Sequence, residues 1–139
     1  MVNRVNSREL VGKAAPIPDG LGVVVFESKN IRMCLEQDII PQYVSFFLLT
    51  RSARDQIELG AKQTVGMATI NQEDIVNWVI PIPPLAEQRR IVAKIESLFA
   101  QADTIEQAAS VALRRAEQLD QSILARAFRG ELVETNTGG

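Results

Sequence analysis

A chain of 139 residues, 46% of them hydrophobic and 23% charged, is long enough to bury one core. It contains no histidine and a single cysteine, Cys34, which excludes a Ser-His-Asp triad, a Cys-His pair, a His-ligated metal, an internal disulfide and a Cys-based zinc site. No apolar run approaches the roughly 18 residues that span a bilayer, and the opening MVNRVNSREL lacks the apolar centre of a signal peptide, so a cytoplasmic protein with no membrane partner is expected.

Residues 1–20 mix short β-prone pieces with Asn, Ser and Gly and end in a P-D-G turn signal at Pro18 to Gly20. Val2 and Val5 already carry a strand-like pattern, which predicts a sheet partner upstream of Met1. GVVVFES from Gly22 and IRMCLEQ from Ile31, separated by a turn at Lys29 and Asn30, read as two strands that pair as a hairpin and supply core. Cys34, between Met33 and Leu35, is expected as a plain core or interface residue. From Ile39 to Gly60 one helix is predicted, with Pro41 in its first turn, an apolar face of Tyr43, Val44, Phe47, Leu48 and Ile57, and Gly60 just past its end. Its aromatic residues suit core packing better than base stacking. Lys62, Gln63 and Thr64 then read as a polar loop before Asn71, an N-cap candidate with Asp74 three positions on, which opens a short helix.

The stretch WVIPIPPLAEQRRIVAKI, Trp78 to Ile95, begins as an apolar strand (Val79, Ile80, Ile82) that Pro81, Pro83 and Pro84 bring to an end. Proline fixes φ and forces the preceding residue to be extended, and Pro84 suits the first residue of a helix. Beyond it no proline or glycine occurs until Gly130. Apolar residues recur at Ile91, Ile95, Leu98, Ala102, Ile105, Ala109, Ala112, Ala116, Leu119 and Ile123, alternating steps of four and three, the seam of a coiled coil. Such a helix would extend roughly 60 Å. Asp103 with Glu106 also fits the cap of a second helix, so one helix and a helix pair broken between Phe99 and Asp103 both fit the sequence. Residues 130–139 carry no pattern and are expected to fray.

A strand ending in P-x-P-P-L-x-E-Q-R-x-I-V and followed by a long amphipathic helix resembles the end of a target-recognition domain in the specificity (S) subunits of type I restriction-modification systems. The upstream order of helix, glycine, polar loop, "IN" and short helix is similar to that family too. The resemblance reaches through nearly the whole chain and is most specific from Ile70 to Ile95. Full-length members carry two recognition domains and two helical spacers, so it implies a C-terminal fragment of α+β class: a small mixed recognition-domain fragment, residues 1–83, a helical spacer, 84–129, forming an antiparallel coiled coil, and a tail, 130–139.

The resemblance implies a non-catalytic subunit that reads one half of a bipartite double-stranded DNA target. The spacer sets half-site spacing and docks methyltransferase subunits. No cofactor is expected on this chain, because the methyltransferase partner would carry S-adenosylmethionine and the restriction partner ATP. The glycines agree, forming neither G-x-G-x-x-G nor a phosphate loop. Arg4, Asn6, Arg8 and Lys13 lie in the region that belongs to the recognition domain, and Lys62, Gln63 and Thr64 suit phosphates and base edges. Pro83, Pro84, Leu85, Glu87 and Gln88 form the domain-spacer junction, where Glu87 or Gln88 is expected to hydrogen-bond backbone groups. A formal charge of -2 argues against a strong DNA binder, although residues 1–35 set Arg4, Arg8, Lys13, Lys29 and Arg32 against only Glu9, Asp19 and Glu27. The alternative is a protein-protein assembly module without DNA binding of its own. The seam predicts an antiparallel homodimer centred near Gln107, which pairs Ile91 with Ile123, Ile95 with Leu119, Leu98 with Ala116, Ala102 with Ala112 and Ile105 with Ala109.

Overall fold

In the computed structural model, which describes residues 1–132, the first two strands find their partners downstream, not upstream. Strand β1 (Val2–Asn3) pairs antiparallel with β3 (Asn30–Ile31), Val2 opposite Ile31, and bridges to Ala14 on its other side. Strand β2 (Val5–Asn6) pairs antiparallel with β5 (Met67–Thr69), which also pairs with β4 (Lys62–Thr64), giving a three-stranded sheet of order β2-β5-β4. The chain crosses between the two sheets at Arg4, whose N–H donates to the Lys29 carbonyl (2.8 Å) and whose carbonyl accepts from Ile70 N–H (2.9 Å). With helices α1 (Pro41–Phe47), α2 (Arg51–Gly60), α3 (Gln72–Val76) and α4 (Leu85–Phe128), the fold is mixed α and β, with small sheets and a long C-terminal helix. The chain divides into two compact units, Met1–Lys94 and a second that begins at Ile95.

The core of the first unit gathers Val2, Val11, Tyr43, Val44, Leu48, Ala53, Ile57, Ala68 and Ile70, with Ile91 and Val92 from the start of α4 packed against it. The expected hairpin of GVVVFES with IRMCLEQ is absent. Residues 21–28 form no strand, and Val23 and Val25 are 94% and 90% exposed, so they supply no core. β-Branched residues favour an extended backbone, but a strand also needs a ladder, and β1 offers only two residues before the chain turns into the other sheet. Beyond Ile31 the inward phase persists without pairing. Ile31, Met33 and Leu35 are half-buried while Arg32, Cys34 and Glu36 face outward, which leaves Cys34 exposed and not in the core.

The single helix expected from Ile39 to Gly60 is two. Thr50 is extended, its hydroxyl donates to the Phe47 carbonyl (2.7 Å) and accepts from Ala53 N–H (3.4 Å), so it ends one helix and caps the next. Gly60 is the last residue of α2, without the left-handed conformation of a helix-ending glycine. Its role is proximity: a Cβ there would lie 3.3 Å from the Asp74 Cβ on α3. Lys62, Gln63 and Thr64 are a strand and not a loop, turned back at Val65 and Gly66, where the glycine supplies φ of 79°. Asn71 does open α3, and the Asp74 carboxylate accepts its N–H at 2.7 Å.

Helix α4 runs unbroken through Phe99 to Asp103, which resolves the choice between one helix and two. From Glu96 on, each of its residues is exposed, including Leu98, Ile105, Leu119 and Ile123 of the seam. The helix ends just ahead of Gly130. That residue takes φ of 75°, its N–H donates to the Ala127 carbonyl, and Glu131 N–H donates to the Arg126 carbonyl, a Schellman end. The remaining tail, 133–139, lies outside the described residues. Among the described residues no helix is long and apolar enough to cross a membrane.

Candidate nucleic-acid interface

The three-stranded sheet brings together candidates from distant parts of the sequence. Asn6 lies opposite Ala68, which lies opposite Gln63, and Val5, Thr69 and Lys62 form the adjoining row. Strand β4 is the outer strand next to β5, and its Lys62, Gln63 and Thr64 are all exposed. Asn6 is half-buried, and its side-chain oxygen accepts from Ser7 N–H at 2.8 Å, so it also shapes the turn that follows.

Arg8 and Lys13 sit apart from that row, on either side of the turn that returns the chain to β1. Lys13 is exposed, and its carbonyl accepts from Asn3 N–H. Arg8 is engaged: its guanidinium pairs with the Glu58 carboxylate of α2 at 2.6 Å, and that hydrogen bond, followed by the charge of Arg8, holds the Glu58 carboxyl below its ordinary value. Arg54, which sequence reasoning passed over, fastens the same turn by donating to the carbonyls of Val11 (2.6 Å) and Arg8 (2.8 Å). Its neighbours in α2 gave no hint, because the carbonyls it serves belong to a segment more than forty residues earlier.

Arg4 faces a different place. At the crossover an open hollow of about 670 Å³ is lined by Arg4, by Phe26, Asn30 and Arg32, and by the start of α3. The Nε of Arg4, one of the residues that line it, is buried without a hydrogen-bond partner.

The junction is built from side chains. Residues 78–84, expected to begin as a strand, join no sheet; Val79 and Ile82 are exposed, and the backbone is served from three helices instead. Gln56 of α2 accepts from Val79 N–H (2.7 Å) and donates to its carbonyl (3.2 Å). The Tyr43 hydroxyl of α1, pushed above its ordinary pKa by burial and then by the Glu87 carboxylate, donates to the Pro81 carbonyl at 2.7 Å. Gln88 of α4 donates to the Pro83 carbonyl at 2.9 Å. The served positions, 79, 81 and 83, alternate as on one edge of an extended chain, where prolines could not have donated to a ladder.

Gln88 does more than serve Pro83. It is 1% exposed, accepts from Ile40 N–H (2.9 Å) and donates to the Asp38 carbonyl (3.0 Å), so one side chain ties the first turn of α4 to the segment that leads into α1. Its neighbour Glu87 is exposed. Pro84 sits at the N-cap, its carbonyl accepting from Glu87 and Gln88 N–H, while Leu85 is half-buried.

Comparison with known proteins adds an independent line. A family model described as the type I restriction modification DNA specificity domain matches residues 5–114. The chain is 44% identical over 110 residues to the type I restriction enzyme EcoKI specificity subunit of Escherichia coli (strain K12), across 79% of this chain and 24% of that protein. It is 37% identical over 135 residues to the StySPI specificity subunit of Salmonella potsdam, across 96% of this chain and 29% of that protein. With the EcoDI specificity subunit of Escherichia coli it shares 48% identity over 87 residues, 63% of this chain and 19% of that protein. The chain thus spans between about a fifth and three tenths of the length of these relatives.

Proposed function

The chain belongs to the type I restriction modification DNA specificity family, and on that premise we propose that it is a non-catalytic DNA-recognition segment of a restriction-modification complex. The observation that carries the reading is the family match from residue 5 to residue 114, which takes in β2, the β4–β5 hairpin, the Gln88 junction and more than half of α4. On this reading residues 1–83 serve recognition of one half of a bipartite target and residues 84–129 are the spacer that sets half-site distance and docks methyltransferase subunits. At 1.5 Å per residue, the 44 residues of α4 extend about 66 Å, equivalent to about 19 base pairs at 3.4 Å each.

Titration with random duplex DNA at low and at moderate salt tests the recognition role. With a formal charge of -2 and Arg8 already paired with Glu58, the net attraction to phosphates is small, so weak, salt-sensitive binding without sequence preference is expected. No binding at low salt would overturn the DNA reading in favour of an assembly module. Nanomolar, sequence-selective binding at moderate salt would show that few phosphate contacts suffice.

The spacer pairs antiparallel with a second copy of itself. The support is a heptad seam of Ile, Leu and Ala left exposed from Leu98 to Ile123, a stripe that water disfavours. A two-fold axis near Gln107 sets Ile95 against Leu119 toward the ends and puts at least one alanine in each layer between, Leu98 with Ala116, Ala102 with Ala112 and Ile105 with Ala109, so the helices approach at the low end of the roughly 8–10 Å interaxial range. Ala109→Glu places a charge in that narrow middle and is expected to abolish the dimer in sedimentation. A parent chain that stays monomeric at high micromolar concentration would remove the pairing.

A further inference from the structure

The hollow where the chain crosses from one sheet to the other has the chemistry of an anion site. Arg4 reaches it from the crossover itself, with its Nε buried and unpartnered, and Arg32 reaches it from the residue after β3. Among the described residues neither guanidinium is in an ion pair, whereas Arg8, Arg51, Arg126 and Arg129 all are. Against the two arginines the wall sets one carboxylate, Glu73, leaving an excess of positive charge in a protein whose total is negative.

Two guanidinium groups that line one concavity with no carboxylate paired to either favour an acceptor-only anion between them. We propose that this hollow seats one phosphate group of the DNA backbone, held by Arg4 and Arg32. The inference rests on the DNA-recognition reading and deepens it. A concave wall suits a phosphate, which projects from the duplex, whereas base edges lie inside grooves that only protruding elements such as the β4–β5 hairpin enter. The hollow therefore positions the duplex and does not read its sequence.

The test uses the full chain and random duplex DNA, with affinity followed across a salt series. Arg32 is exposed and among the described residues its side chain is in no hydrogen bond or ion pair, so Arg32→Gln is expected to fold as the parent, to bind about fivefold more weakly at low salt, and to reduce the slope of log K against log salt by about 0.9, the loss of one phosphate contact. Glu73→Gln is expected to strengthen binding two- to threefold. Arg51→Gln, which removes the same charge from an arginine of α2 paired with Asp55, is the control and is expected to change affinity by less than twofold. If Arg32→Gln matches the parent, or Arg51→Gln weakens binding as much, the effect is absent or is one of net charge, and the site is overturned while DNA recognition stands. If the parent itself binds no duplex at low salt, the recognition reading falls and the site with it.

Discussion

Replacing Gln88 with leucine is expected to destabilise the first unit by about 3 kcal/mol, because each buried polar group left unsatisfied costs about 1–3 kcal/mol. The side chain satisfies Ile40 N–H and the carbonyls of Asp38 and Pro83, and leucine fills a similar volume while satisfying none of them. Trp78, the one tryptophan, lies half-buried in the same unit, so its fluorescence through a urea titration reports the change. Glu87→Ala, one residue away but on the exposed side, is expected to shift stability by no more than about 0.5 kcal/mol. A loss below about 1 kcal/mol for the leucine variant would mean that water replaces the amide and that Gln88 does not hold the junction.

Gly12→Ala is expected to cost a similar amount for two separable reasons. Gly12 has φ of 77°, which disfavours any side chain by about 1–2 kcal/mol. A Cβ would also stand 2.8 Å from two carbons of Ile57, which is fully buried, and overpacking of this kind costs about 1–3 kcal/mol. Gly20 separates the terms: its φ is 82°, yet nothing lies within 4 Å of its Cβ position, so Gly20→Ala measures the backbone cost alone. Denaturation midpoints should place Gly12→Ala about 2 kcal/mol below Gly20→Ala. Equal losses would show that Ile57 gives way freely and that the close approach contributes nothing.

What the sequence made legible were features with a local cause. Three prolines followed by a run without proline or glycine announce an extended segment and a long helix, and α4 begins where they place it. Asn71 with Asp74 announces α3 in the same way. Where the cause was distant, local reading failed. Val23 to Val25 favour a strand but have no ladder to join, and nothing near them records that β1 is two residues long. Leu48 and Ile57 face one core, so a helical period runs across the break that Thr50 makes. Lys62 to Thr64 have no apolar alternation because they are exposed, and hydrogen bonding alone makes them a strand. At the junction two adjacent polar residues, Glu87 and Gln88, looked equivalent until the turn of the helix buried one of them. The hollow was the least visible of all, since Arg4, Arg32 and Asn71 meet only through a crossover between sheets.

That crossover also fixes an order of assembly. The turn from Ser7 to Lys13 and the two central helices involve short loops, whose closure is entropically cheap, and they can form as soon as their own residues exist. Strand β2 has no such option, because Val5 pairs with Thr69 and Asn6 with Ala68. During synthesis the N-terminal strand must therefore wait on the ribosome for most of the first unit to emerge, and the three-stranded sheet closes as the slowest, least local contact of the fold. Arg4 and Asn71 come to line one hollow only after that closure, so the hollow is among the last features a newborn chain acquires.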